Sequence, residues 1–445
     1  MKIIHFASSK KRVAAVLWFF LLFTSRPGLC EEMPAAELID LEGCITTALQ
    51  KSPELALSRA IGDQKDALVW SSRKDLLPTI SAHYTYRHQP DSVYYPADEF
   101  GYGITAEQTL FKGKSLFAKV KQAQAEHTSS QHEINRIINE TVYQVYAAYF
   151  DVLRGQKLEE EARQSVMRLE SHRQDSKDFL DAGLIALNEL LQSEVELAQG
   201  EQNLLNAENR TAMAKAQLNT LLQRRVDLPI EIVDTSFDAE KQFVWEDIAN
   251  SALQNRPEMH RAKMALEVAE HDVTIKKAPF LPIVTVSASY DKVDDVTDTS
   301  SFPDWPEEET LVTAAAVWKL WTWQKSKNES IAAQKAVSAA QKAMDQIADT
   351  IILEARGAYL QMLEAGKKIA VSEKVIEHAR ENYRINEARY QSQVATSTEV
   401  LDAQTLLAQA MRNYYDSLYS YWMSQAAVER AAGKFYQHHV TETME

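Results

Sequence analysis

The chain has 445 residues, 45% of them hydrophobic and 25% charged, a composition that suits packed domains and excludes disorder. A formal charge of −15 argues against a nucleic-acid partner, and two cysteines give neither a disulfide framework nor a zinc set. Glycine and proline number only 12 each, which leaves room for long helices.

The first 30 residues read as a secretory signal. Lys10, Lys11 and Arg12 form a basic start and residues 13–23 an apolar run too short to span a bilayer. Gly28 and Cys30 suit a cleavage site before Glu31; the alternatives are an uncleaved anchor or acylation of Cys30, where Leu29 takes the place of the usual small residue. Removal takes five basic residues and no acidic one off the charge of −15, to −20, and leaves Cys44 as the only cysteine. No later stretch holds 18 apolar residues, so no membrane-spanning helix is expected. An exported chain of this kind is soluble, lipid-anchored or a β-barrel.

From there the chain runs through one plan twice. A helix is expected over 41–74, stopped by Pro78, and its counterpart over 245–277, stopped by Pro279 and Pro282. Two strands follow in each copy. Then come very long helical patterns over 114–180 and 326–391, each about 66 residues and so roughly 100 Å of helix. Shorter helices over 186–222 and 397–432 complete the copies. The repetition shows in the letters. Ala48-Leu49-Gln50 with Pro53-Glu54 matches Ala252-Leu253-Gln254 with Pro257-Glu258, and Leu77-Pro78 matches Leu281-Pro282, both at an offset of 204. From Leu110-Phe111 against Leu320-Trp321 onward the offset is 210. The boundaries expected are a signal at 1–30, repeats at 31–230 and 243–433, a linker at 231–242 and a tail at 434–445.

The strands alternate. Ile80, Ala82, Tyr84 and Tyr86 share one face, and Ser81, His83, Thr85 and Arg87 the other. Phe100, Tyr102, Ile104 and Ala106 repeat the theme, as do Val284, Val286, Ala288 and Tyr290, and Val312, Ala314, Ala316 and Trp318. One apolar and one polar face suit a water-filled barrel, and aromatics crowd both strand ends: Tyr94, Tyr95, Phe100, Phe302 and Trp305 at one, Phe111, Trp321 and Trp323 at the other. Four strands cannot close a barrel, and an open sheet edge in lipid costs several kcal/mol per unpaired group. Two chains would give eight strands and three would give twelve. The other reading is a soluble or lipid-anchored periplasmic coiled-coil interaction protein.

Together these signatures resemble the TolC-like outer-membrane factors of efflux pumps and type I secretion systems. The resemblance covers 41–433. It rests on the duplicated Pro-Glu starts, Phe280-Leu281-Pro282, Leu110-Phe111-Lys112-Gly113, and the run from Arg389-Tyr390 through Thr398-Glu399-Val400-Leu401-Asp402. It implies an α/β membrane protein built from a duplicated helix–strand–strand–helix unit. A homotrimer would form a twelve-stranded β-barrel in the outer membrane, continued by a long periplasmic α-helical barrel. The linker and tail would belt its middle, and the partners would be outer-membrane lipid, a periplasmic adaptor and an inner-membrane pump. Residues 391–397 and 181–187 would be the tips of the gating hairpins. Glu399 and Asp402 match lumen-facing acids, so threefold symmetry would gather six carboxylates near one axis. Tyr390 and Glu189 match a latch between neighbouring hairpins in the best-known member of the family, with Asn188 a further polar partner, while Ala395 stands where that member has an arginine.

No enzyme is expected. Gly113-Lys114-Ser115 imitates the end of a phosphate-binding loop, but Gln108 occupies the earlier glycine position. Neither a nucleophile elbow nor a metalloprotease helix motif occurs, and no cofactor or metal is expected.

Overall fold

The structure, a computed structural model, describes residues 37–88, 98–234, 243–295 and 308–435, with the side chains of Glu37, Asp294 and Asp295 left aside. The signal at 1–30, most of the tail, and Tyr94, Tyr95, Phe302 and Trp305 lie outside the described residues. Chain order runs β1 (Glu37–Ile39), α1 (Leu41–Lys51), α2 (Pro53–Lys74), β2 (Thr79–His88), β3 (Asp98–Lys112), α3 (Ser115–Asp181), α4 (Leu187–Leu221) and β4 (Ile230–Ile232). The second copy gives α5 (Trp245–Asn255), α6 (Pro257–Lys277), β5 (Ile283–Asp295), β6 (Glu308–Val317), α7 (Lys325–Gln391) and α8 (Ser397–Ala431). The long helices have 67 residues each and their partners 35 each, so the two copies match in length as well as in letters.

One expectation needs correction. The first helix of each copy is not continuous. It breaks at Ser52 and Arg256, because Pro53 and Pro257 sit at the first helical position, where a missing N–H costs nothing. Ser52 caps α2 by accepting from the Leu55 amide at 3.2 Å; Arg256 instead buries its guanidinium against Glu258 at 2.7 Å and Glu354 at 2.5 Å. The linker, moreover, is preceded and entered by a strand: β4 pairs in parallel with β1, Leu38 facing Glu231. Three residues are too few to show a period.

The larger sheet has the order β2-β3-β5-β6, all antiparallel. Register confirms the two faces. Tyr84 stands opposite Tyr102, Ile104 opposite Tyr290, and Ala288 opposite Val312 on the apolar face. On the polar face His83 stands opposite Gly103 and Gly103 opposite Asp291. A side chain at Gly103 would collide with both neighbours; its absence lets His83 Nε2 come within 3.0 Å of Asp291 Oδ1 across the intervening strand. A bulge between Thr109 and Phe111 turns Phe111 toward the face of Val284. The outer edges of β2 and β6 have no partner strand among the described residues.

The long helices carry the rest. α4 packs antiparallel on α3 and α8 on α7, while α2 and α6 line the same long helices nearer the sheet. The main core lies at mid-length, where Tyr149, Phe150 and Leu153 of α3 meet Ile45 of α1, Leu218 of α4, Ile230 of β4 and Trp422 of α8. The Tyr149 hydroxyl donates to the Val233 carbonyl at 2.5 Å, which ties the strand pair to the helices. Phe435 stacks on Tyr146, centroids 5.1 Å apart, and brings the start of the tail to the same level.

The positive-φ residues repeat at the offset of 210. Gly113 and Lys114 answer Trp323 and Gln324 at the sheet-to-helix corners, Gly183 answers Gln393 at the tips, and Gln223 answers Gly433 beyond the last helices. The corner is tight in the first copy, since a methyl on Gly113 would lie 2.8 Å from the Ala278 main chain, whereas one on Gly183 would meet nothing within 4 Å. Gly113→Ala is therefore expected to lower the unfolding temperature more than Gly183→Ala. Both lose about 1–2 kcal/mol from the left-handed backbone, and only the former adds a collision. Thermal unfolding of the purified variants measures the difference, and equal shifts would show that the corner gives way.

Candidate functional site: the hairpin tips

At the first tip α3 ends with Gly183 at φ 73°, the Leu184 amide reaching back to the Phe179 carbonyl at 2.8 Å. Asn188 is exposed and Glu189 half-buried in the first turn of α4. The second tip closes the same way through Gln393 at φ 61°. It adds a capping box: the Thr396 hydroxyl accepts from the Glu399 amide, and the Glu399 carboxylate accepts from the Thr396 amide. Arg389 Nη1 donates to Glu399 Oε2 at 2.9 Å and so clamps the two arms of the tip. Asp402 is exposed one turn along, with no side-chain partner among the described residues. Glu399 and Asp402 thus share a helix face as expected, but the first is committed to local contacts and the second is free.

Tyr390 is 2% exposed. Its hydroxyl pairs with Ser176 Oγ of α3 at 2.9 Å, and its ring lies 4.7 Å from His172 and 5.4 Å from Phe179. Within the chain Ser176 takes the place expected for Glu189, which acts on Tyr390 only through its charge. Burial pushes the Tyr390 hydroxyl up from its ordinary value.

Around Tyr390 runs a polar seam between the two hairpins. His172 Nε2 lies 2.8 Å from Ser397 Oγ, which is fully buried. Arg168 Nε donates to Gln404 Oε1 at 2.9 Å and Arg168 Nη2 to Glu161 at 2.6 Å, while Gln404 donates to Ser165 at 3.0 Å. Thr398 donates to Gln192 at 3.3 Å. Burial raises the Glu161 carboxyl, and Arg168 opposes that rise. Sequence reasoning missed Ser165, Arg168, His172 and Ser176. Their spacing of three and four residues, one polar stripe on one helix face, was the available signal. The two sides of the seam differ: Phe179 and Leu180 stand in the first copy where Arg389 and Tyr390 stand in the second.

At the sheet-to-helix rim Trp321 and Trp323 are 68% and 86% exposed, their rings 6.2 Å apart, with Phe111 also exposed. Trp318 donates its indole N–H to the Phe280 carbonyl at 3.1 Å. These aromatics stand together at one end of the sheet.

Magnitudes rank the contacts. An exposed ion pair such as Arg389–Glu399 contributes about 0.2–1 kcal/mol, whereas stranding a buried hydroxyl costs about 1–3 kcal/mol. Tyr390→Phe strands Ser176 Oγ, so hydrogen exchange over 386–399 is expected to quicken several-fold; unchanged exchange would show that the hydroxyl pair holds nothing. Acid should act on the same seam. Burial pushes His172 from 6.5 down to about 4. Its contribution is therefore full above pH 6.5 and falls as the unfolded chain takes up a proton that the packed seam refuses, down to about pH 4. The loss approaches roughly 3 kcal/mol. Exchange at the tips measured from pH 7 to pH 4 should show it, and His172→Gln should flatten the profile.

The pattern of the outer membrane efflux protein family matches residues 44–223 and 248–434. Outer membrane protein TolC of Vibrio cholerae is 21% identical over 397 residues, covering 87% of this chain and 89% of that one. Among solved structures, the outer membrane protein VceC from Vibrio cholerae superposes with a TM-score of 0.79 at 18% identity, over 88% of this chain and 96% of that one. The open state of the Neisseria gonorrhoeae MtrE outer membrane channel gives 0.74 at 18% identity, over 88% of each. These set aside the soluble or lipid-anchored coiled-coil reading. The chain belongs to the outer membrane efflux protein family: it is a TolC-like outer-membrane efflux channel with a periplasmic helical extension, and not an enzyme.

Proposed function

We propose that this channel is the exit duct of a tripartite efflux pump or type I secretion system, working as a homotrimer with a periplasmic adaptor and an inner-membrane pump. The observation that carries the trimer is the four-stranded sheet with one apolar face, one polar face and two edges that have no partner strand among the described residues. Joining β6 of one chain to β2 of the next removes every edge, and three chains give a twelve-stranded barrel wide enough to pass cargo. The helices support the same assembly. Leu187, Leu191 and Val195 form an exposed apolar stripe along α4, 51–67% open, at the spacing of a helix-to-helix contact. Within this reading residues 1–30 are an export signal, 31–230 and 243–433 the two repeats, 231–242 their linker and 434–445 a tail.

The gate is the pair of tips. Opening is a swing of the second hairpin away from α3, which breaks the Tyr390–Ser176 and His172–Ser397 contacts, and an adaptor bound to the open form shifts the balance. The arginine absent at position 395 is offset by Arg389, which reaches Glu399 from within the same tip. Three copies of Asp402 then form the free acid ring, with Glu399 held back by its partner.

Single-channel conductance of the purified chain in a planar bilayer tests this. Arg389→Ala combined with Tyr390→Phe should raise conductance several-fold, and Asp402→Asn should weaken block by divalent cations more than Glu399→Gln. Trimers that conduct but ignore all four changes would leave the duct standing without this gate. A monomer that never inserts would remove the duct.

A further inference from the structure

We propose that the rim where sheet meets helices is a binding collar for the anionic headgroups of glycerophospholipids in the periplasmic leaflet of the outer membrane. The two ends of the sheet carry opposite charge. Residues 73–79, 110–119, 274–284 and 317–328, which form the helix-side rim, hold ten basic residues and one acidic residue, Asp75. The described residues at the other end, 87–88, 98–99, 291–295 and 308–309, hold seven acidic residues and only Arg87 and Lys292 as bases. On a chain of formal charge −15, a cationic rim is a local departure and not a reflection of composition.

The rim cations are open to solvent. Lys112, Lys114, Lys277, Lys319 and Lys327 are exposed and make no ion pair among the described residues; Lys325 has only a 4.0 Å contact with Glu329. Helix electrostatics explains Lys276 and Lys277 at the end of α6, where cations are favoured. It does not explain Lys114, Lys325 and Lys327. These stand at the starts of α3 and α7, where the helix end is itself positive, and neither first turn holds an acid. The helices therefore resist this placement in both copies, and an external anion relieves it.

Depth names the anion. In or beside each rim segment exposed rings accompany exposed cations: Trp70, just before the first segment, under Arg73 at 4.9 Å, Phe111 before Lys112 and Lys114, Phe280 after Lys277, and Trp318, Trp321 and Trp323 among Lys319, Lys325 and Lys327. Aromatics of this kind sit at the edge of the hydrocarbon, which puts the adjacent cations at the level of the lipid phosphates. Basic residues so placed attract an anionic leaflet over a zwitterionic one. The collar fixes the depth of the barrel by charge, where the girdle alone fixes it by hydrophobicity.

The test uses the full chain reconstituted in phosphatidylcholine vesicles, with quenching of tryptophan fluorescence by brominated phosphatidylglycerol compared with brominated phosphatidylcholine. Trp318, Trp321 and Trp323 report from the rim itself. A preference for phosphatidylglycerol of about fivefold or more, falling with added salt, is expected. The combination Lys112→Gln, Lys114→Gln, Lys319→Gln and Lys325→Gln should bring it close to one. Gln324 already occupies the place of Lys114 in the second copy, and the same four positions changed to Arg should keep the preference, which separates charge from misfolding. Lys342→Gln with Lys367→Gln and Lys374→Gln, along α7 away from the sheet, should leave it intact. Equal quenching by both lipids in the unmodified chain, or a preference that survives the four Gln changes, overturns the collar. Quenching by neither lipid overturns the membrane-seated rim on which it rests.

Discussion

A peptide N–H or C=O that faces hydrocarbon without a partner costs several kcal/mol, and lipid offers none. Much of this molecule answers that constraint. The β2-β3-β5-β6 sheet satisfies its interior strands and leaves two edges without a partner strand among the described residues, the gap that the proposed trimer would close. The helices face no such demand in the periplasm, where water pairs with any exposed group. They can be long and thinly packed, with a dense core only at mid-length around Tyr149 and Trp422. The division of labour between strand and helix follows from the change of solvent along the molecule.

Duplication supplies the other organising rule. The left-handed residues at each corner and tip recur 210 residues apart, and at three of the four pairs glycine occupies one copy only. The backbone path is therefore shared while the chemistry has diverged. Trp323 accepts the strained conformation that Gly113 adopts freely, and in exchange places a large ring at the rim. At the tips the divergence separates the hairpins: the second has Arg389, Tyr390 and a capped Glu399, while the first has Phe179, Leu180 and an uncapped start at Ala186.

Much of this was legible from letters alone. The long helices, Ser115–Asp181 and Lys325–Gln391, lie within a residue of the spans the pattern gives, and the two faces of β2, β5 and β6 follow from alternation. What escaped has physical reasons. β1 and β4 are too short to show a period, and a proline at a helix start looks like any other until the break before it is seen. β3 reaches Lys112 only by way of a bulge, which alternation cannot register. At the tips, resemblance picked out Tyr390 but not its partner. A serine or histidine on a 67-residue helix reads as a solvated position, and only the approach of the second hairpin, Tyr390 of α7 and Ser397 of α8, makes Ser176 and His172 interior.

The notch at Gly103 bears on how the sheet finds its alignment. Its strands are rich in small residues, and such strands slide easily past one another because many pairings look alike. His83 and Asp291 meet across Gly103 when β2, β3 and β5 are in step; Gly101 is the only other β3 residue that leaves the same opening, so nearly every other offset sets a side chain between them. The pair acts as a key that few alignments fit. In the proposed trimer no turn would join one chain to the next, so the seams of its barrel would inherit their alignment from strands already keyed within each chain.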